Sequence, residues 1–227
     1  MGTILAGSIV TKASTQLIDT GNTRWTQSEL LGWVNDAQRL IVLAQPNTNQ
    51  VVVAKQLVAG TRQSIPADGW LLLDIYRNMG TNGTTPGNVV RQISRRVLDS
   101  FVPGWHSAAP TSAVTNYLFD VQDQTAFYVY PPNDGTGYLE INYSQNPVDM
   151  TLTTPIDIFD VMEPVLLNYT LGMAYLKDAE YSGNAAVGQA YMSAFTAALG
   201  AKEKAETDNN PTPGLFPRAV DKTGGST

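Results

Sequence analysis

Residues 26–46 read TQSELLGWVNDAQRLIVLAQP, and the change of pattern across this stretch decides the fold. Leu30, Val34, Ala37, Ile41 and Ala44 recur at helical spacing with Trp33 and Leu40 alongside, which lays one apolar stripe along a helix. Thr26 in front of the stripe and Glu29 three residues later form a capping-box pattern that predicts the helix start, and Pro46 predicts its end. Beyond Pro46 the period becomes extended. Val51-Val52-Val53, Gln56-Leu57-Val58, a turn at Gly60 and Gln63-Ser64-Ile65-Pro66 read as a hairpin, because β-branched residues bounded by Gly and Pro suit a pleated, half-buried surface.

Towards the N-terminus, Leu5, Ile9, Ala13 and Leu17 fall four apart with Val10 beside Ile9, predicting a helix over residues 4–19 that stops at Asp19-Thr20-Gly21-Asn22. Towards the C-terminus, residues 70–79 predict a strand, either directly or after one helical turn, and residues 89–94 another. Residues 95–101 predict a short helix, and residues 116–121, 126–130 and 137–144 three more strands. Asn133-Asp134-Gly135-Thr136-Gly137 supplies residues that tolerate positive φ, so the last two strands read as a hairpin. Helical periodicity returns after Pro155, with Thr154 as a cap and Asp157, Asp160 and Glu163 in the first turns, and runs to about Tyr181. Pro164 demands that this helix begin near it or kink there. A last, Ala-rich helix spans residues 185–205, with Val187, Tyr191, Ala194, Phe195 and Ala198 on one side.

The expected class is therefore α+β. Residues 1–48 and 152–206 form a four-helix bundle, residues 49–151 an inserted antiparallel β subdomain, and residues 207–227 an extended C-terminal arm. The arm holds Pro211, Pro213, Pro217 and several glycines, a composition that forms no helix or strand by itself, so neighbouring chains are expected to hold it. Leu215 and Phe216, flanked by Pro213 and Arg218, are the expected anchor on a partner.

Composition narrows the function classes. With 227 residues, 43% hydrophobic and 15% charged, the chain has material for one good core or two small ones. No cysteine is present, which excludes disulfides and thiolate metal sites. A net charge of −6 and a pI near 4.7 argue against gripping nucleic acid through a basic surface, since that binding depends on Lys and Arg displacing phosphate counterions. Residues 4–10 are apolar but too short to span a bilayer, and Ala6 stands where a myristoylation pattern starting at Gly2 needs Ser or Thr.

Chemistry has few candidates. His106 is the single histidine, which removes every two-histidine metal site; it stands in a loop beside Ser107 with no nucleophile elbow around it. Asp120 and Asp123 could pair as glycosidase carboxylates, although Asp120-Val121-Gln122-Asp123-Gln124 reads better as a hairpin turn between aromatic strands. Tyr128, Tyr130, Tyr138 and Tyr143 could form a stacking platform for sugars or single-stranded nucleic acid, but read better as cross-strand packing partners. Gly135 and Gly137 make no phosphate loop, because no Lys follows and no helix opens there. No catalytic, cofactor or metal site is expected.

An ordered set of segments resembles the head-to-tail adaptor proteins of tailed bacteriophages. The set is Arg24-Trp25-Thr26 leading into a helix; Ile65-Pro66-Ala67-Asp68 before Leu72-Leu73-Asp74; Arg77-Asn78-Met79; Trp105-His106; Tyr128-Val129-Tyr130-Pro131-Pro132; and Lys177-Asp178-Ala179-Glu180-Tyr181. The resemblance implies a structural virion protein without catalysis, assembled in the host cytoplasm into a twelve-membered homo-oligomeric ring. That ring would lie between the portal protein and a tail or nozzle protein and would continue the DNA channel without sequence-specific contacts. Two competing expectations remain: another structural protein of the same particle, such as a nozzle or decoration protein, and a cell-wall glycan hydrolase using His106, Asp120 and Asp123.

Overall fold

The structure, a computed structural model, describes residues 2–120, 122–178 and 180–208. It is α+β, with five α-helices and two β-sheets among the described residues.

Helix α1 (Ala6–Gln16) begins later than the periodicity suggested, because the backbone before it is committed elsewhere. Gly2 N–H donates to Ile156 O at 3.1 Å, Ile156 N–H to Ile4 O at 2.9 Å and Ala6 N–H to Thr154 O at 3.0 Å, so residues 2–6 run as an extended segment against residues 152–156. Ile9, Val10, Ala13 and Leu17 are buried as the stripe required, whereas Leu5 is half exposed. Helix α2 (Gln27–Ala44) starts where the sequence placed it: the Thr26 hydroxyl accepts from Glu29 N–H at 3.3 Å. The capping box is one-sided. The Glu29 carboxylate turns away to Lys177 Nζ at 2.6 Å, an ion pair that fastens the start of α2 to a later helix.

Pro46 opens a 3-10 turn (Pro46–Asn49) that hands the chain to β1 (Gln50–Gln56), β2 (Gly60–Ser64) and β3 (Gly69–Asn78). After a loop come β4 (Arg91–Gln92), α3 (Arg95–Phe101) and a 3-10 turn at Trp105–Ser107, then β5 (Asn116–Asp120), β6 (Asp123–Asn133) and β7 (Tyr138–Gln145). One sheet has the order β1-β7-β3 and the other β2-β6-β5-β4.

Two expected hairpins are corrected. β1 pairs with β7 while β2 pairs with β6, and the Asn133–Gly137 connection carries the chain from one sheet to the other instead of folding β6 back on β7. The physical reason is burial. Val53 and Ile75 flank Ile141 in register in the first sheet, Phe119 opposes Phe127 in the second, and the inward faces of both sheets meet in one cluster that includes Leu57, Ile65, Tyr117 and Val129. A flat meander would have left one of those faces in water. The turn at Asp120–Asp123 does join a hairpin, β5 to β6. Pairing is antiparallel except between β4 and β5, and the strand expected over residues 89–94 contracts to two residues. No helical turn precedes β3.

Helix α4 (Glu163–Lys177) follows a 3-10 turn at Asp160–Met162, with Pro164 in its first turn, where a missing N–H costs nothing. The start expected after Pro155 is therefore corrected. Thr154 Oγ1 accepts from Thr151 N–H, and Asp157 accepts from Val148 N–H at 2.9 Å. Helix α5 (Asn184–Asp208) runs back along α4 and continues two residues past the expected start of the arm at 207. Ile9 of α1, Val34 and Ile41 of α2, Leu166 and Tyr169 of α4 and Phe195 of α5 share one core.

Candidate functional site

The residues singled out for chemistry are placed in packing roles. His106 lies in the 3-10 turn, where its ring stacks on Trp105 with centroids 3.6 Å apart and Nδ1 lies 2.9 Å from Thr61 Oγ1. Trp105 is buried and donates its indole N–H to Asp99 Oδ1 at 2.8 Å, so the pair closes the small cluster formed with Leu98 and Leu118. Asp123 accepts from Thr125 Oγ1 at 3.0 Å and from Arg62 at 3.1 Å. The Thr125 hydroxyl and then the Arg62 guanidinium hold its carboxyl below the usual range, the opposite of what a glycosidase acid requires. Asp120 opposes Asp123 in the hairpin register.

The tyrosines are spread through the sheets. Tyr143 is buried with its hydroxyl on Asp68; burial first, then the Asp68 charge, push its phenol up to about 12. Tyr138 donates to Gln56 Oε1 at 3.1 Å, and Tyr128 meets Trp105 edge-on at 6.1 Å. Tyr128 and Tyr130 pack together against the Leu98–Trp105–Leu118 cluster, whereas Tyr138 and Tyr143 lie on β7 in the other sheet. Among the described residues, no group of His, Cys, Asp and Glu side chains could hold a metal ion, and no helix is long and apolar enough to cross a membrane.

Surface of another kind is more informative. Residues 184–201 of α5 contain no charged side chain. One face of that helix is committed: Phe195 is buried with its ring 5.2 Å from Tyr169, Tyr191 stacks on Tyr175 at 5.9 Å, and Gln45 Nε2 donates to Leu199 O at 2.7 Å. The helix approaches α4 through paired glycines; a Cβ on Gly188 would lie 2.8 Å from Leu176 Cγ, and one on Gly172 would lie 2.9 Å from Met192 Sδ. The opposite face, with Ala186, Ala190, Ser193, Ala194 and Ala197, is exposed. Val187 and Ala194, expected on the covered side, belong to this open side. The signal that identifies the face was present in the sequence as a run without charge, where an exposed helix ordinarily carries Lys and Glu. Leu215, Phe216 and Arg218 lie outside the described residues.

The scaffold thus combines packed aromatics, tied carboxylates and an uncharged open helix face. The family described as SU10 adaptor protein matches residues 5–216, nearly the whole chain, and the chain belongs to that family. It is a structural phage adaptor and a component of the virion. No curated protein matches it.

Proposed function

We propose that twelve copies of this chain close into a ring that joins the portal to the tail and continues the DNA channel. The observation that carries the reading is the open, charge-free face of α5 in a member of an adaptor family. Small side chains allow close approach of a neighbouring backbone, and the uncharged surface loses no ionic hydration when covered. The helices make the ring contacts, and the β-sheets project outward or towards the tail. Assembly takes place in the host cytoplasm. With its acidic groups facing inward, such a chain repeated around a channel repels DNA and lets it slide, without sequence-specific contacts and without catalysis.

The C-terminal segment, through Leu215, Phe216 and Arg218, docks on the portal. Extended arms gain affinity from backbone pairing and a few anchoring side chains. Native mass spectrometry of the purified protein, alone and with its portal, tests both parts. The expected result is a twelve-fold mass that adds to the portal; a monomer that stays monomeric with the portal present overturns the ring. Deletion of residues 209–227 leaves a folded chain that no longer docks, and retained docking overturns the role of the arm.

A further inference from the structure

Two surface patches away from α5 are unlike each other and complementary. The first lies on β4 and α3. Helix α3 buries only Leu98, leaving Val97 43% and Phe101 81% exposed; four residues apart, they share one side of the helix. Three arginines fall within six residues of a chain whose net charge is −6. Arg95 is engaged, 3.6 Å from Asp99 and over the Tyr128 ring, but among the described residues neither Arg91 nor Arg96 has a carboxylate partner. Arg91 also borders a recess of about 490 Å³ whose rim includes Val89, 66% exposed. The patch is positive with apolar side chains in it.

The second lies on residues 148–161, which lead from β7 to α4. Val148 is 68%, Phe159 44% and Val161 73% exposed, and Asp149, Asp157 and Asp160 stand between them. The Val148 N–H on Asp157 Oδ2 holds the two ends of the segment together, and Asp160 is pinned by the Thr3 hydroxyl and backbone N–H, both at 2.7 Å. Asp149 is paired with Arg39, so Asp157 and Asp160, both half-buried, give this patch its negative balance, and it too carries apolar side chains.

We propose that the α3 face of one copy seats on the 148–161 edge of the next, a proposal that rests on the ring reading and names a pair of surfaces for it. Pairing either patch with itself sets its majority charges, Arg91 and Arg96 or Asp157 and Asp160, against their own kind. Their opposite signs and matching apolar content instead favour a head-to-tail contact, the only arrangement of unlike patches that repeats around a ring. Phe101 is the anchor, entering between Val148 and Val161, and Arg91 and Arg96 meet the carboxylates at the margin, the distribution typical of a protein interface.

The absence of cysteine makes a clean test possible. F101C and V161C, both at strongly exposed positions, are prepared as single variants and as a double variant, with circular dichroism to verify folding, and treated with a short bismaleimide. Cross-linked dimers are expected from the mixed singles, none from either single alone, and a ladder of oligomers from the double variant. A ring seen by native mass with no cross-link in the mixture overturns this contact and leaves the ring reading standing; a chain that is monomeric and never cross-links overturns both. Equal cross-linking within one single variant makes the contact symmetric and also overturns the proposal. The R91E/R96E variant is expected to weaken self-association at least tenfold. Unchanged assembly together with lost retention on duplex DNA would assign the arginines to nucleic acid instead.

Discussion

Gly137 has almost no room for a side chain. A Cβ there would stand 2.0 Å from Ser112 O and 2.6 Å from Asn133 Nδ2, at the point where the chain passes from the second sheet to the first. The Asn133 amide organises that crossing: it donates to Thr111 O at 3.0 Å and Ser112 O at 3.2 Å while its oxygen accepts from Gly135 N–H at 2.8 Å. Backbone carbonyls cannot swing aside as a flexible side chain can, so Gly137→Ala is expected to cost about 1–3 kcal/mol or somewhat more, read as a lower urea midpoint with unchanged slope. Two carboxylates make a second prediction. Asp19 accepts backbone N–H bonds from Trp25, Thr23 and Arg24, each at 2.9 Å, and Asp160 accepts from the Thr3 hydroxyl and the Ile4 and Thr3 backbones; both carboxyls are held below their usual 3.8. Since the folded values are the lower ones, the unfolded chain binds more protons near that pH. Their stabilisation is complete above 3.8 and is lost as the pH falls through the depressed values. The D19N/D160N variant is therefore expected to be less stable at neutral pH and to show a flatter decline than the wild type between about pH 4 and pH 2, followed by urea unfolding.

Elements were legible in proportion to how local their cause is. The start of α2 was readable because Thr26 caps the Glu29 N–H through its own side chain, and α3 because an extended segment gives way to a short helical one at Arg95. The hairpin at Asp120–Asp123 was readable from turn residues between aromatic strands. The partners of β1, β2, β6 and β7 were not, because turn chemistry at Gly60 or Asn133–Gly137 says only that the chain bends. Which sheet receives each strand is settled by the distant requirement that Ile141 lie between Val53 and Ile75 and that both sheets cover the same core. The start of α4 was missed for a similar reason: Asp157 and Asp160, read as helix-start carboxylates, are taken by Val148 and Thr3. The α4–α5 contact is the element-scale unit most exposed to test. Among the described residues, Phe195 is the large α5 side chain that the core buries, 7% exposed, and its truncation opens a cavity beside Tyr169 that the glycine-paired helices cannot close by moving nearer. Phe195→Ala is expected to lower stability by about 3–5 kcal/mol, measured by denaturant unfolding.

At the scale of the whole molecule, α5 has two unlike sides, and substitutions on them should separate folding from the proposed assembly. The inner side of α5 holds the chain's own fold through Phe195 and Tyr191; the outer side, with Ala190 and Ala197 seven residues apart on one face, touches nothing in the chain's own core. A charge placed on that outer side remains in water while the protein is a single copy, so Ala190→Glu with Ala197→Glu should leave the unfolding free energy within about 0.5 kcal/mol of the parent. If a neighbouring copy covers the face, as the proposed ring requires, the same carboxylates must be stripped of water, and assembly should fail. The expected outcome is a variant with the parent's circular dichroism and urea curve whose native mass is that of one chain of about 24.5 kDa under conditions where the parent forms the proposed ring. A ring of undiminished mass from the double variant would show that α5 faces solvent in the particle and that other surfaces close the circle.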